Sequence, residues 1–168
     1  DVCSSDLKYF LLKQNRSTGV SEDELVRIAV KSMGLDELTT FEPKKRIIEY
    51  MLEDSNSTPL LNMNLRNFAH ETSGESPAPG GGSVSAYVGA LGVSLGTMVA
   101  NLSSHKKGWD HRWKEFSDYA DDGQKIKDRL LKLVDEDTRA FNKIMEAFAL
   151  PKTTDEEKAS RKKAIGEA

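Results

Sequence analysis

Apolar residues recur at helical spacing along most of this chain. Tyr9, Phe10, Leu11 and Leu12 mark a short apolar stretch over residues 7–15, read as the end of a helix. The turn Asn15-Arg16-Ser17-Thr18-Gly19 follows. Ser21-Glu22-Asp23-Glu24 is a capping box, with the Ser as N-cap and a Glu at the third helical position. Leu25, Ile28, Ala29 and Met33 continue at helical spacing, and Gly34 stands where a glycine closes a helix. Pro43 opens a further helix carrying Ile47, Ile48, Met51 and Leu52.

Residues 53–59 (EDSNSTP) are polar and turn-rich and read as a linker. A short helix over residues 65–72 turns Leu65, Phe68 and Ala69 inward. The segment SPAPGGG, residues 76–82, suits neither helix nor strand. Residues 83–104 then carry no charge and are mostly small. The last long helix is expected from about Trp109 to Leu150, stopped by Pro151 and bent at Gly123. Its apolar stripe is Phe116, Tyr119, Ile126, Leu130, Leu133, Val134, Phe141, Ile144, Met145 and Phe148. A final helix starts near Thr154 and still runs at Ala168, so the chain reads as truncated. No alternating strand pattern and no solenoid repeat is visible, so the fold class is all-α.

Composition narrows the picture. The chain has 168 residues with 38 % apolar and 30 % charged side chains, which suits one ordinary domain or parts of two. A net charge of −3 argues against a generally basic nucleic-acid binder. One cysteine, Cys3, excludes an internal disulfide framework and a multi-cysteine zinc site. It suits a reducing compartment, so a cytoplasmic location is expected. The first seven residues, DVCSSDL, have no signal-peptide pattern. A chain that opens on Asp is either processed or a piece of something longer, and a piece is the expectation.

Three features could carry chemistry. A glycine-rich turn feeding a helix offers free backbone N–H groups and the positive end of a helix dipole. Gly80, Gly81, Gly82 and Ser83 therefore form either an anion or carbonyl site or a plain helix start; without a P-loop Lys or a preceding strand, nucleotide binding is not expected. The uncharged helix contains Gly92-x-x-x-Gly96 and is long enough to compare with a membrane span. Its polar interruptions and low Leu and Ile content favour a helix buried at the centre of a soluble bundle.

The third feature is a phase argument. At about 100° per residue from Val134, Leu130 falls near −40°, Phe141 near −20°, Phe148 near −40° and Asp137 near −60°. Asp135 and Glu136 point roughly 100° and 200° away, toward solvent. Asp137 thus interrupts the apolar stripe. Burial disfavours the charged form of a carboxyl, which is how such a group becomes a general acid. An Asp facing a buried partner is the other reading. His70, His105 and His111 lack metal-ligand spacing, so no metal is expected. Lys106, Lys107, Arg112 and Lys114 form a basic patch, either a solvated turn or a seat for a polyanionic tail. Trp109 and Trp113 read as packing residues.

The stretch SPAPGGGSVSAYVGALGVSLGTMVANL resembles the formiminotetrahydrofolate cyclodeaminase/cyclohydrolase family. The likeness continues at Leu133-Val134-Asp135-Glu136-Asp137-Thr138-Arg139-Ala140-Phe141 and at Leu150-Pro151-Lys152-Thr153-Thr154-Asp155-Glu156-Glu157-Lys158. Upstream, Arg16-Ser17-Thr18-Gly19-Val20 and Phe41-Glu42-Pro43-Lys44-Lys45-Arg46-Ile47-Ile48-Glu49-Tyr50 resemble the end of a glutamate formiminotransferase domain. Together they resemble the bifunctional formimidoyltransferase-cyclodeaminases of histidine breakdown and one-carbon metabolism. Ser85 and Tyr87 depart from the family's usual Ala-rich sequence, and residues 1–7 do not match the transferase.

The resemblance implies a transferase-like end over residues 1–52, a linker over 53–60 and the start of a cyclodeaminase-like helical bundle over 61–168. It implies transfer of a formimino group to tetrahydrofolate, then closure to 5,10-methenyltetrahydrofolate with loss of ammonia. By motif position Asp137 becomes the catalytic residue. Gly80, Gly81, Gly82 and Ser83 become substrate-binding, with Lys106, Lys107 and Arg112 toward a polyglutamate tail. A homo-oligomer is expected, with neither nucleic acid nor membrane as partner. The alternatives are a methenyltetrahydrofolate cyclohydrolase and a non-catalytic helical interaction or membrane module.

Overall fold

A computed structural model describes residues 4–14, 16–37, 39–52 and 58–167. Cys3 and most of the expected linker lie outside the described residues. Among the described residues eight α-helices follow one another: α1 (Ser4–Lys13), α2 (Glu22–Ser32), α3 (Pro43–Arg46), α4 (Ile48–Leu52), α5 (Leu65–Thr72), α6 (Gly81–Ser104), α7 (Trp113–Ala149) and α8 (Asp155–Glu167). A single 3₁₀ turn, Asp110–Arg112, leads into α7, and no strand occurs among the described residues. The class is all-α.

Local chemistry sets the helix ends. Ser21 caps α2 by accepting from the Glu24 N–H. Gly34, at φ +64°, closes it. The Leu35 N–H reaches the Val30 carbonyl at 3.0 Å and the Gly34 N–H that of Lys31 at 3.2 Å, a Schellman ending that needs left-handed backbone at Gly34. Asn64 caps α5 through the Asn67 N–H at 2.8 Å. Thr154 caps α8, and Glu157 reaches back to the Thr153 and Thr154 N–H groups.

The helix expected from Pro43 is broken in two, because Ile47 takes an extended conformation with ψ 121°. Ile48, Met51 and Leu52 are all exposed. Short helices without a buried face are marginal, so nothing enforces continuity there. In contrast α7 runs without interruption through Gly123.

The chain forms two compact units, residues 1–54 with 89–129 and residues 55–88 with 130–168. In the first, Leu11, Leu25, Ala100 and Ala120 are buried together with Ser17, Thr18 and Ser117. The polar members are paired. The Thr18 N–H donates to Ser117 Oγ at 2.8 Å, and the Ser17 hydroxyl to Asn101 Oδ1 at 2.6 Å. Asn101 and Gln124 side-chain amides both donate to the Gly19 carbonyl, at 2.8 and 3.0 Å. Gly19 lies so close to α7 that a Cβ there would stand 2.8 Å from the Ala120 Cα.

In the second unit Leu60, Ser83, Val134, Asp135 and Ala147 are buried. The Phe68 and Tyr87 rings meet at a tilt of 51° with centres 5.3 Å apart, and Arg161 Nε donates to the Phe148 carbonyl at 3.2 Å.

Two expectations are corrected. The buried residues of α7 are Ser117, Ala120, Val134, Asp135 and Ala147, whereas Tyr119, Ile126, Phe141, Ile144, Met145 and Phe148 are exposed. Asp135, expected in solvent, is only 2 % exposed, so the phase inferred from the large apolar residues is displaced. Small side chains allow the close approach that buries a helix face, and bulky ones here stand off it. The expectation of a buried α6 also fails. Only 28 % of its most apolar window is buried, and Val88, Leu91, Leu95, Met98, Val99 and Leu102 are exposed. By length and composition alone α6 could cross a membrane.

Candidate functional site

The second unit contains a cavity of about 260 Å³ lined by Pro77, Gly80, Gly81, Gly82, Asp137, Thr138 and Phe141. Proline and glycine create one wall. Residues 76–80 cannot join α6, so the helix starts at Gly81, with the positive end of its dipole at the cavity. The other wall is the middle of α7, where Phe141 stands one helical turn beyond Asp137 and Thr138.

Asp137 links these walls. Its Oδ2 accepts from the Ser83 backbone N–H at 2.8 Å and lies 3.0 Å from the Ser83 hydroxyl. A backbone donor in the first turn of a helix stabilises negative charge on that oxygen. Gly82 makes the approach possible, since a Cβ there would stand 2.6 Å from the Asp137 carboxyl carbon. Gly80 and Gly81 leave the remaining loop surface open: a Cβ at Gly80 comes no nearer than 3.9 Å to anything, and one at Gly81 meets nothing. Gly81, Gly82 and Asp137 are all exposed. Asp137 was expected to be buried in an apolar stripe; it instead stands at an accessible helix start. Burial is therefore not what fits it for chemistry.

Ser83 lies beside the cavity but faces α7, fully buried, with its hydroxyl 2.8 Å from the Val134 carbonyl. Lys106, Lys107 and Arg112 belong to the first unit, where their contacts are local. Lys106 Nζ sits 4.4 Å from the Trp109 ring centre. Arg112 lies over Trp109 and Phe116, which stack at 5.2 Å, and forms a two-pronged pair with Glu115 at 2.8 and 2.9 Å. The hydrogen bond from Arg112 holds the Glu115 carboxyl below its ordinary value. Lys107 is exposed.

Sequence reasoning missed one residue of this unit. Asp135 accepts the Leu60 N–H at 2.9 Å and the Leu61 N–H at 3.3 Å, fastening the turn before α5 to α7. Its partners lie more than seventy positions away in sequence, so no local signal reveals them. Among the described residues no group of three or more His, Cys, Asp or Glu side chains could hold a metal ion.

The fold and this site define an all-helical protein that holds a carboxylate against a glycine-rich helix start. Residues 64–168 match the formiminotransferase-cyclodeaminase family, and residues 2–53 match the formiminotransferase domain. The chain belongs to the formiminotransferase-cyclodeaminase family. It is 38 % identical over 163 residues to the formimidoyltransferase-cyclodeaminase of Mus musculus, covering 96 % of this chain and 30 % of that protein. The protein of the same name from Dictyostelium discoideum is 35 % identical over 86 % of this chain and 27 % of its own length. A methenyltetrahydrofolate cyclohydrolase of Methylorubrum extorquens is 35 % identical over 107 residues, 64 % of this chain and 51 % of that protein. The chain thus spans about 30 % of the length of the mouse formimidoyltransferase-cyclodeaminase it matches.

Proposed function

We propose that this chain contributes the cyclodeaminase centre of a folate-dependent enzyme. In this reading 5-formiminotetrahydrofolate closes to 5,10-methenyltetrahydrofolate and ammonia leaves. The same protein first moves the formimino group from formiminoglutamate to tetrahydrofolate, in histidine breakdown. The observation that carries the reading is the Asp137 carboxylate, tied through Oδ2 to the start of α6 and open to the cavity.

The proton balance explains why a carboxyl is needed. N10 attacks the formimino carbon and forms the ring bond, and its proton has to leave. The imine nitrogen gains a proton from solvent and becomes an amine. That amine departs only after it receives another proton, because an amide-type anion is too basic to leave. Its C–N bond then breaks with the electron pair on nitrogen, and the carbon stays joined to N5 and N10 as a methenyl cation. One positioned carboxyl can take the N10 proton and hand it to the nitrogen that leaves. Asp137 serves that role.

The bare backbone of Gly80, Gly81 and Gly82 lets a flat ring lie close to it. At about 260 Å³ the cavity is smaller than the roughly 300–1,000 Å³ of a complete small-molecule site, so it takes the reacting end of the folate. Exposed apolar residues along α6 support self-assembly into a homo-oligomer, and the single cysteine suits the cytosol.

The test is to supply the protein, with all the sequence that flanks this chain in its gene, with 5-formiminotetrahydrofolate and to measure ammonia. Stoichiometric ammonia and methenyltetrahydrofolate are expected. Hydrolysis of 5,10-methenyltetrahydrofolate without any ammonia from the formimino substrate would show the cyclohydrolase instead, a reading the Methylorubrum relative keeps in view.

A further inference from the structure

Ser83 is fully enclosed, and three oxygens surround its hydroxyl: the Val134 carbonyl at 2.8 Å, Asp137 Oδ2 at 3.0 Å and Thr138 Oγ1 at 3.2 Å. A serine hydroxyl has one hydrogen and two lone pairs. The Val134 carbonyl can only accept. One hydrogen cannot serve it and Asp137 together, so the pairing depends on where the Asp137 proton is. With Asp137 ionised, the Ser83 hydrogen points to Oδ2, because a bond to a carboxylate is the stronger one. The Val134 carbonyl then rests on its own helical hydrogen bond within α7. With Asp137 protonated at Oδ2, that proton is donated to Ser83 Oγ, and the Ser83 hydrogen turns to Val134. Thr138 supplies or receives the remaining bond. Both states are fully paired with the heavy atoms where they stand.

We infer that Ser83 is a positioning residue for Asp137: its hydroxyl rotates between Val134 and Oδ2 and holds the carboxyl in one place through both protonation states. This rests on the proposed role of Asp137. A group that takes and gives a proton within one turnover gains from a partner that fits both forms without reorganisation. The second carboxyl oxygen, Oδ1, is left beside Gly82 at the exposed face of the loop. Ser83 therefore acts through Asp137 and not by touching the folate.

The test uses the protein with all its flanking sequence and 5-formiminotetrahydrofolate as substrate. Ser83→Ala, Asp137→Asn and the double variant are compared by kcat and KM for ammonia release. Ser83→Cys, with a similar shape and a weak donor, is run beside them. We expect Ser83→Ala to lower kcat by about 10–100-fold, the worth of one hydrogen bond to a charged group, with KM shifted less than about 3-fold. Ser83→Cys falls between Ala and wild type. In the Asp137→Asn background, Ser83→Ala costs less than about 2-fold more, because the two act as a unit. An unchanged kcat in Ser83→Ala, beside an inactive Asp137→Asn, overturns the inference and leaves the proposed function standing. An equal loss in both backgrounds overturns it as well, since it marks a purely structural role. Full activity in Asp137→Asn removes the reading beneath it.

Discussion

Replacing Asp135 by alanine separates structure from chemistry within one turn of a helix, since Asp137 stands two residues on. Asp135 is 2 % exposed, and its two oxygens accept the Leu60 and Leu61 N–H groups at 2.9 and 3.3 Å. Alanine removes both acceptors. It leaves the Leu60 N–H in a residue only 6 % exposed, out of reach of water. A hydrogen bond to a charged group contributes about 1.5–3 kcal/mol, and the 3.3 Å bond belongs at or below the lower end. The expected cost is about 2–4 kcal/mol. For a chain of this size that lowers the melting midpoint by about 5–15 °C. Thermal or urea unfolding, followed by circular dichroism, reads it directly. Asp135→Asn should cost less: its oxygen replaces one acceptor while its NH₂ group faces an N–H. Ammonia release per folded molecule should change little below the melting range. A midpoint within about 1 °C of wild type, roughly a few tenths of a kcal/mol, would refute the assignment of those two bonds.

Two further substitutions probe other parts of the account. Gly82→Ala places a Cβ 2.6 Å from the Asp137 carboxyl carbon, so the carboxyl must move; ammonia release should fall on the order of 100-fold while the melting midpoint holds, since alanine favours a helix over glycine. For Asp121, burial pushes the carboxyl up, but hydrogen bonds from Lys8 and Lys125 outweigh it and hold the group below its ordinary value. Such a depressed carboxyl contributes stability at pH above its unfolded value and loses it as pH falls through the lower folded one. Lys8→Met should therefore cost about 1 kcal/mol at neutral pH, and the gap to wild type should close as pH drops below about 4 in urea titrations.

Much of the helix map was legible because helix ends are written in local chemistry. Ser21 with Glu24 and Gly34 are short-range signals, and the ends of α2 that they mark are those observed. The phase of α7 was not legible. Hydropathy gives weight to Ile126, Phe141 and Phe148, yet the residues that are buried are Ser117, Ala120, Val134, Asp135 and Ala147. Small and polar side chains bury a helix by letting another backbone come near, and no hydropathy pattern records that. In α6 the converse holds: its density of small residues suggests a bundle centre, yet much of it is exposed. Asp137 could be singled out from its motif, but its attachment to Ser83 spans 54 positions and becomes visible only when the helices are placed.

Asp137 is proposed to handle the proton that lets ammonia leave, and Asp137→Asn in the protein with its flanking sequence removes that group alone. The asparagine oxygen can still accept the Ser83 N–H, and the side chain is exposed, so folding should be preserved. Single-turnover ammonia release from 5-formiminotetrahydrofolate should slow by roughly 10²–10⁴-fold, the range for losing a positioned proton-transfer group. Release at the wild-type rate from a folded Asp137→Asn protein would contradict the account.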